Sequence, residues 1–498
     1  MDKKLTAYVK IKDKLEAYNY AMNLINYDAE TIAPKKAYID RGNYIATLYD
    51  EYNKIYLSDE FDNVLKGVEE NISKYNDEVK RSVKIDRKNY NLNKKVPLEK
   101  QSAYMNLTNE TTYYWQLAKD KNNYAIYEPY LTKLIDSTLD IASYYGKING
   151  SYYNTYLDMY EEGITTDILD TFFENLKNKL VPLIKRIGES NKVIRDDFLY
   201  RKVSKKKQLK VSNYILKTIG FDMNKGVLGE TMHPFTSMIS NNDTRVTTHI
   251  YETNFTSTIF SCAHEGGHGI YEQNCNKKLF GECKNPCSMS IHESQSRLYE
   301  NIIARSYAFT KMTFPTIQKI VKPALDDVTM DEYYLAINKV TPSLIRTESD
   351  EVTYCLHILI RYEIEKMLFN KEITPKDIPS VWDAKYKEYL GVNVTSDVEG
   401  CMQDSHWAGA AFGYFFSYAL GNAYSGQFAH YLAKDVDLST MDKNKMKEIK
   451  KWLTDHIYKY GNLYAPQELI KHATGEAFNP NYYIDYLVTK YENIYEVK

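Results

Sequence analysis

One short segment, His264-Glu265-Gly266-Gly267-His268, places two imidazoles and a carboxylate at a spacing suited to metal chemistry. On a helix, residues i and i+4 share one face, so both imidazoles can bind one metal ion. Glu265 lies beside them and can take a proton from metal-bound water. Two adjacent glycines cost about 2 kcal/mol of helix propensity, which indicates close approach of another element. The alternative is an ordinary helix with two hydrogen-bonded histidines, and the spacing favours the metal site.

Such a site needs a further ligand, because catalytic zinc is usually held by three protein side chains. The position that holds a third histidine in metzincins is Asn274 here. The polar segment 290–297 predicts a second helix that presents Glu293 to the metal. The alternative for Glu293 is a solvated helix residue. The candidates downstream are Glu272, Glu282, His292, Glu293 and Glu300.

The elements that position these residues are predicted to be mainly helical. The chain has only 21 glycines and 13 prolines among 498 residues, which favours long uninterrupted helices. Residues 166–180 keep apolar side chains at helical spacing, with Thr166 as the N-cap and Pro182 just past the end. Residues 354–368 show the same spacing. We therefore expect the mainly α fold class.

Two other segments lie close to the chemistry in sequence. The β-branched residues in 244–250 predict a strand, and an edge strand there could align an extended peptide. The most apolar stretch, 407–424, approaches the length of a membrane span. Because it contains glycines and polar residues and lacks basic flanks, it is predicted to be a buried core helix instead.

Composition limits the classes of function. Lys and Arg number 64 and Asp and Glu number 66, for a net charge of −2, which argues against general nucleic-acid binding. All ten histidines lie between His233 and His472, and the first 200 residues contain no cysteine. We expect a single catalytic domain over 1–498, with 1–200 as a helical lid or wall and 201–498 as the metal-bearing part.

The N-terminal segment lacks the apolar region of a secretory signal, so we expect no export and reduced thiols. Cys283 and Cys287 are four residues apart, but no second close Cys or His pair completes a structural zinc site. The six cysteines are therefore predicted to be small buried thiols.

Six ordered motifs make the chain resemble the carboxypeptidase Taq family of metallocarboxypeptidases. An early stretch, Tyr27-Asp28-Ala29-Glu30-Thr31, is also similar to the family's N-terminal signature, with Tyr in place of Trp. Ser349 stands where the family usually has Ala. The resemblance covers essentially the whole chain. The six motifs span residues 233–235, 243–247, 264–268, 292–295, 345–350 and 400–407.

This resemblance implies a metal held by His264, His268 and Glu293, with Glu265 as general base for attack by a metal-bound water. It implies one zinc ion per chain, with cobalt as an alternative. It also implies a helical fold of two walls around a long groove, similar to angiotensin-converting and neurolysin-type peptidases, and a cytoplasmic homodimer.

Peptide hydrolysis also needs donors for the oxyanion and, in a carboxypeptidase, a partner for the terminal carboxylate. By similarity to related peptidases, Tyr418 and His406 are the expected oxyanion contacts; the alternative is that Tyr418 packs in a core. Arg346 is the favoured carboxylate anchor, because a guanidinium binds a carboxylate through two hydrogen bonds. Arg245 is expected to be structural or to line the groove, and His233 to shape its wall. Either arginine could instead pair with an acid of its own motif, Asp350 or Asp243.

Two other functions compete with a carboxypeptidase acting on peptides with a free C-terminus. One is an oligopeptidase or dipeptidyl carboxypeptidase on the same fold, which the metal motif does not distinguish. The other is a catalytically inactive metal-binding scaffold, against which the intact Glu265 argues.

Overall fold

The computed structural model describes residues 2–498, which form nineteen α-helices and three short strands. This confirms the mainly α class with a small β element. Short 3₁₀ turns and one π-helical segment, Leu298–Ala304, connect or extend the helices. The helices are Lys3–Thr31 (α1), Tyr38–Tyr56 (α2), Asp59–Glu69 (α3), Asp77–Lys95 (α4), Leu98–Lys121 (α5), Glu128–Tyr145 (α6), Tyr152–Tyr160 (α7), Thr166–Glu189 (α8), Lys205–Ile219 (α9), Phe255–Asn274 (α10), Met289–Arg297 (α11), Tyr307–Val321 (α12), Met330–Ile337 (α13), Tyr354–Phe369 (α14), Ile378–Leu390 (α15), Phe416–Asp435 (α16), Lys443–His456 (α17), Pro466–Thr474 (α18) and Asn481–Tyr495 (α19).

The three strands form one sheet in the order β1-β3-β2. They are Gly226–Glu230 (β1), Thr236–Ser240 (β2) and Asp243–Thr248 (β3). The predicted strand is confirmed as β3, but its predicted edge position is wrong. β3 pairs with β1 in parallel and with β2 in antiparallel orientation, so both of its sides are occupied. The free edges belong to β1 and β2.

The predicted helix at 166–180 is longer than expected. It continues through Pro182 to Glu189, and its N-cap is Thr165 rather than Thr166. A proline inside a helix removes a hydrogen bond and costs about 3 kcal/mol. The segment beyond Pro182 buries Leu183, Ile184 and Ile187 on the same face as the rest of α8, and this burial offsets the cost.

The apolar segment 407–424 is helical only in its second half. Residues 407–415 form turns, with positive φ at Ala410 (59°) and Gly413 (75°), and α16 begins at Phe416. Glycine readily adopts positive φ, whereas alanine does so at a cost, and neither continues a right-handed helix there. The predicted core helix is therefore preceded by a loop. The helix predicted at 354–368 is confirmed as α14.

Buried apolar side chains form two clusters. The larger lies within the range 118–495, and the smaller joins α1, α2, α3 and α4 within the range 5–90. All six cysteines are buried and unpaired, as predicted. The division of the domain at residue 200 stays a prediction. Within residues 2–498, no helix has both the length and the apolar character needed to cross a membrane.

Candidate metal centre

Three side chains from two helices converge at one point. The Nε2 atoms of His264 and His268 lie 3.6 and 3.3 Å from Glu293 Oε2. One ligand atom from each residue can be chosen so that all lie within 4.8 Å of one another. Two neutral imidazoles and one carboxylate form the donor set of a catalytic zinc site with one open position. The residues therefore fit a divalent cation.

Helix packing brings these side chains together. His264 and His268 are one turn apart on α10, and Glu293 lies on α11, the second helix that the sequence predicts. A Cβ added at Gly267 would lie 2.7 Å from the Gln295 carbonyl oxygen. Such a distance is too short for any side chain, so α10 and α11 can approach this closely only with glycine at position 267. The close approach expected from the glycine pair is confirmed.

Each histidine also contacts a second side chain through its Nδ1 atom. His264 Nδ1 lies 2.8 Å from Glu300 Oε2, and His268 Nδ1 lies 2.5 Å from His292 Nδ1. His292 Nε2 in turn contacts Glu272 Oε1 at 3.0 Å. These contacts occupy both Nδ1 atoms and leave both Nε2 atoms facing Glu293. Partners of this kind fix the orientation of a metal-ligating imidazole.

These contacts distinguish between the five candidates for a third ligand. Only Glu293 faces both imidazole Nε2 atoms. Glu300 and His292 contact the Nδ1 atoms of the two histidines instead, and Glu272 contacts His292. Glu282 pairs instead with Lys12 on α1.

The electrostatics of the cluster favour a cation. Burial alone would raise the pKa of Glu293, but the Arg297 guanidinium and the His264 imidazole outweigh it and hold that pKa well below its usual range. Arg297 Nε donates to Glu293 Oε1 at 2.6 Å. Burial, together with the neighbouring His292, lowers the pKa of His268 to about 3. His268 is therefore neutral and Glu293 ionised near pH 7, as metal ligation requires. Burial would lower the pKa of His264, but the Glu293 and Glu300 carboxylates outweigh it and raise that pKa above its usual value, so His264 would release its proton when a metal binds.

Glu265 is the next residue after His264 and is only 6% exposed. Thr236 on β2 donates from Oγ1 to Glu265 Oε2 at 2.7 Å, so the sheet contributes directly to the orientation of this carboxylate. Burial raises the pKa of Glu265 above its usual value. Its position beside the cluster suits a proton-accepting role.

His406 and Tyr418 are brought together, with Nε2 and Oη 3.3 Å apart. Tyr418 lies on α16, which packs against α11 so closely that a Cβ at Gly421 would be 2.6 Å from Glu293 Cβ. Burial lowers the pKa of His406 to about 4 and raises the pKa of Tyr418 above its usual value. Both groups are therefore uncharged near pH 7.

Arg346 does not pair with Asp350, the aspartate of its own motif. Its Nε and Nη2 atoms both donate to Asp404 Oδ1, at 3.1 and 2.8 Å. Arg361 on α14 donates to the other oxygen of Asp404 at 2.7 Å. Asp350 instead accepts from the backbone N–H groups of Thr341, Val352 and Thr353. Two guanidinium groups thus share one carboxylate and leave an excess positive charge.

Arg245 pairs with Asp243, the acid of its own motif. Its Nε and Nη2 donate to the two oxygens of Asp243 at 2.9 and 2.8 Å. Its guanidinium also lies 4.9 Å from the centre of the Tyr27 ring on α1. His233 is exposed in the turn that joins β1 to β2, and its carbonyl accepts from Thr231 Oγ1. The contacts of Arg245 and His233 are thus made with neighbouring structural groups.

Several residues that complete the site were not identified from the sequence. Arg297 is four residues after Glu293, and this helical spacing was a usable signal. Thr236 and Arg361 had no comparable signal, because each reaches its partner only through tertiary packing.

Comparison with known proteins adds an independent finding. A family model described as carboxypeptidase Taq (M32) metallopeptidase matches residues 7–491. Carboxypeptidase 1 of Bacillus subtilis (strain 168) is 38% identical over 485 residues, covering 97% of each chain. The structure of M32 carboxypeptidase from Deinococcus radiodurans R1 matches with a TM-score of 0.96 at 30% identity over 100% of both chains. That of Pyrococcus furiosus carboxypeptidase matches with a TM-score of 0.94 at 31% identity over 99% of both.

Proposed function

The chain belongs to the carboxypeptidase Taq (M32) metallopeptidase family, and on this premise we propose that it is a zinc-type enzyme that removes C-terminal residues from peptides. The observation that carries the proposal is the convergence of His264, His268 and Glu293, with Glu265 beside them on the same helix. These three ligands would hold one Zn²⁺ per chain, with Co²⁺ as the alternative.

We assign Glu265 as the general base. A bound cation supplies Lewis acidity, which lowers the pKa of water and polarises a carbonyl. The Glu265 carboxylate accepts a proton from the attacking water and returns it to the leaving amine. Its hydrogen bond from Thr236 supports this role, because it restricts the side chain to one orientation.

His406 and Tyr418 are assigned as donors to the oxyanion that forms on the substrate carbonyl. Both are uncharged and close to each other, so an oxyanion that replaces their mutual hydrogen bond could accept from both. Donors fixed in place before the reaction stabilise developing charge without reorganising. Packing of α16 against Glu293 supports this placement.

Arg346 is assigned as the anchor of the substrate's terminal carboxylate. The pair formed by Arg245 and Asp243 is electrically balanced, whereas Arg346 and Arg361 share the single carboxylate of Asp404. An incoming carboxylate would balance the second charge. His233 and Arg245 are assigned to the wall of the substrate site, without direct roles in catalysis.

The family also suggests a cytoplasmic homodimer, which we include in the proposal. The substrates are peptides with a free C-terminus. The near-neutral charge supports neither a nucleic-acid partner nor an anionic surface as partner.

An oligopeptidase on the same fold is the competing function. Incubation of one peptide and its C-terminally amidated twin separates the two. We expect stepwise release of single residues from the free peptide and little cleavage of the amide. Equal internal cleavage of both peptides would establish an oligopeptidase, and no turnover of either by the metal-loaded protein would establish an inactive scaffold.

The Arg346→Ala variant is expected to lower kcat/KM for free peptides by roughly 30- to several-thousand-fold, since removing one partner of a desolvated charge pair costs about 2–5 kcal/mol. Cleavage of amidated peptides, which carry no carboxylate, should change little. Steady-state kinetics with both peptides measure the difference.

Arg245→Ala is the matched control, because it removes a guanidinium that already has its own carboxylate. We expect it to affect both peptides alike. An equal loss for both peptides in Arg346→Ala would make Arg346 structural, and a selective loss in Arg245→Ala would move the anchor to β3.

A further inference from the structure

The loop that carries His406 is tied to a buried carboxylate outside the six sequence motifs. Glu365 on α14 is fully buried, with 0% of its surface exposed. Its Oε1 accepts from Trp407 Nε1 at 2.8 Å, and its Oε2 accepts from the Gly413 backbone N–H at 2.9 Å. Residues 406–413, here called the His406 loop, are therefore held by Glu365 near both ends.

The chemistry of these contacts requires two acceptors at position 365. An indole N–H and a backbone N–H can only donate. A carboxylate offers an acceptor oxygen to each, whereas an amide would turn its own N–H₂ toward one of them. The third partner, Tyr153 Oη, donates to Oε2 at 2.8 Å from α7 and does not belong to the loop. Burial raises the pKa of Glu365 to about 7, and the three donors oppose this shift.

The same face of α14 fixes the segment just before the loop. Arg361, one turn before Glu365, donates to Asp404. At the far end of the loop, Gly413 has a φ of 75°, and a Cβ there would lie 2.9 Å from Tyr156 Cβ. The loop therefore has little freedom at either end, and His406 lies at its start.

We propose that Glu365 is a positioning residue, which holds the His406 loop so that the His406 imidazole stays beside Tyr418. This inference rests on the proposed role of His406 as an oxyanion donor. Glu365 acts through Trp407 and Gly413, without contact to the substrate. Its loss should therefore affect the transition state more than substrate binding.

The test compares Glu365→Gln with the unaltered enzyme at full metal loading. A displacement of about 1 Å at a catalytic group can cost roughly 100-fold in rate. We expect kcat to fall by about 10- to 100-fold, KM to change by less than about 3-fold, and metal content to stay normal. Tyr153→Phe is the matched control, since it removes one hydrogen bond to the same carboxylate and leaves both loop contacts in place. It should lower the thermal midpoint with kcat nearly unchanged.

A double-mutant cycle with His406→Ala identifies the route of the effect. His406→Ala alone should lower kcat by about 100- to 1,000-fold. Added to it, Glu365→Gln should have little further effect on kcat, because the group that it positions is gone. An unchanged kcat in Glu365→Gln, an equal loss in both backgrounds, or an equal kcat loss in Tyr153→Phe would overturn the proposal.

The cycle also shows whether the positioning role of Glu365 or the oxyanion role of His406 is wrong. If His406→Ala leaves kcat unchanged, the oxyanion role of His406 is wrong and the positioning role falls with it. If His406→Ala lowers kcat but the effects of the two substitutions are additive, His406 remains an oxyanion donor and Glu365 is not its positioning residue. If Glu365→Gln fails to fold, Trp407→Phe takes its place in the cycle, because it removes one hydrogen bond between Glu365 and the loop. An effect on kcat that disappears in the His406→Ala background supports the proposal, and an equal effect in both backgrounds overturns it.

Discussion

Replacing Glu265 by glutamine is expected to lower kcat by about 100- to 10,000-fold with the metal still bound, because general-base catalysis contributes a factor of that size. Glutamine keeps the shape of the side chain and can still accept the hydrogen bond from Thr236. It cannot accept a proton from water. Steady-state kinetics together with the metal content per chain measure the effect.

Glu351→Gln is a suitable control for the loss of a buried carboxylate. Glu351 is also buried, but its partners are Lys490 and Tyr491 on α19. We expect near-normal kcat in that variant. Retained turnover in Glu265→Gln would assign the base to another residue.

Glu293→Ala, which removes the proposed third ligand, should abolish metal binding and activity together. Loss of an outer partner of a metal ligand weakens metal affinity by about 10- to 100-fold, and loss of a ligand itself should exceed that range. The variant also leaves the buried Arg297 with Glu300 as its remaining carboxylate partner. Metal content after dialysis and activity at increasing metal concentrations are the two measurements.

Glu300→Gln provides the contrast for this experiment. Glu300 contacts His264 Nδ1 and does not face the cluster, so its loss should weaken metal affinity but leave one metal per chain at saturation. Normal metal stoichiometry in Glu293→Ala would contradict the assigned ligand set. It would return Glu272, Glu282 and Glu300 as candidates.

The local part of the site could be predicted from the sequence because its geometry repeats along one element. Helical spacing places His264 and His268 on one face of α10. Alternation along a strand places Asp243 and Arg245 on one face of β3, where they pair. In both cases the partners are separated by no more than one helical turn or one strand repeat.

The remaining contacts depend on packing between distant segments. Asp404 lies 58 residues from Arg346, and Asp350, four residues after Arg346, is already bound to backbone N–H groups. Glu300 follows α11 within a π-helical segment, so the α-helical spacing of α11 does not give its direction. Sequence spacing therefore made Glu300 a candidate without giving its role, and it did not identify Asp404 or Arg361 as partners.

The positions of proline and glycine in the sequence also did not fully predict where helices begin and end. Pro182 lies inside α8 because the apolar residues after it find a buried face. In contrast, the apolar segment after Trp407 starts as a loop, where Gly413 packs against Tyr156. Local propensity predicted neither outcome, because tertiary burial decided both.

Product analysis of a mixed peptide library tests whether the protein is a metal-dependent carboxypeptidase. The library is incubated with the enzyme, with the same enzyme after dialysis against a chelator, and after Zn²⁺ is returned, and the products are identified by mass spectrometry. We expect loss of residues only from free C-termini, absent after chelation and restored by Zn²⁺. Undiminished cleavage by enzyme shown to contain no metal, or products cut only at internal bonds, would contradict it.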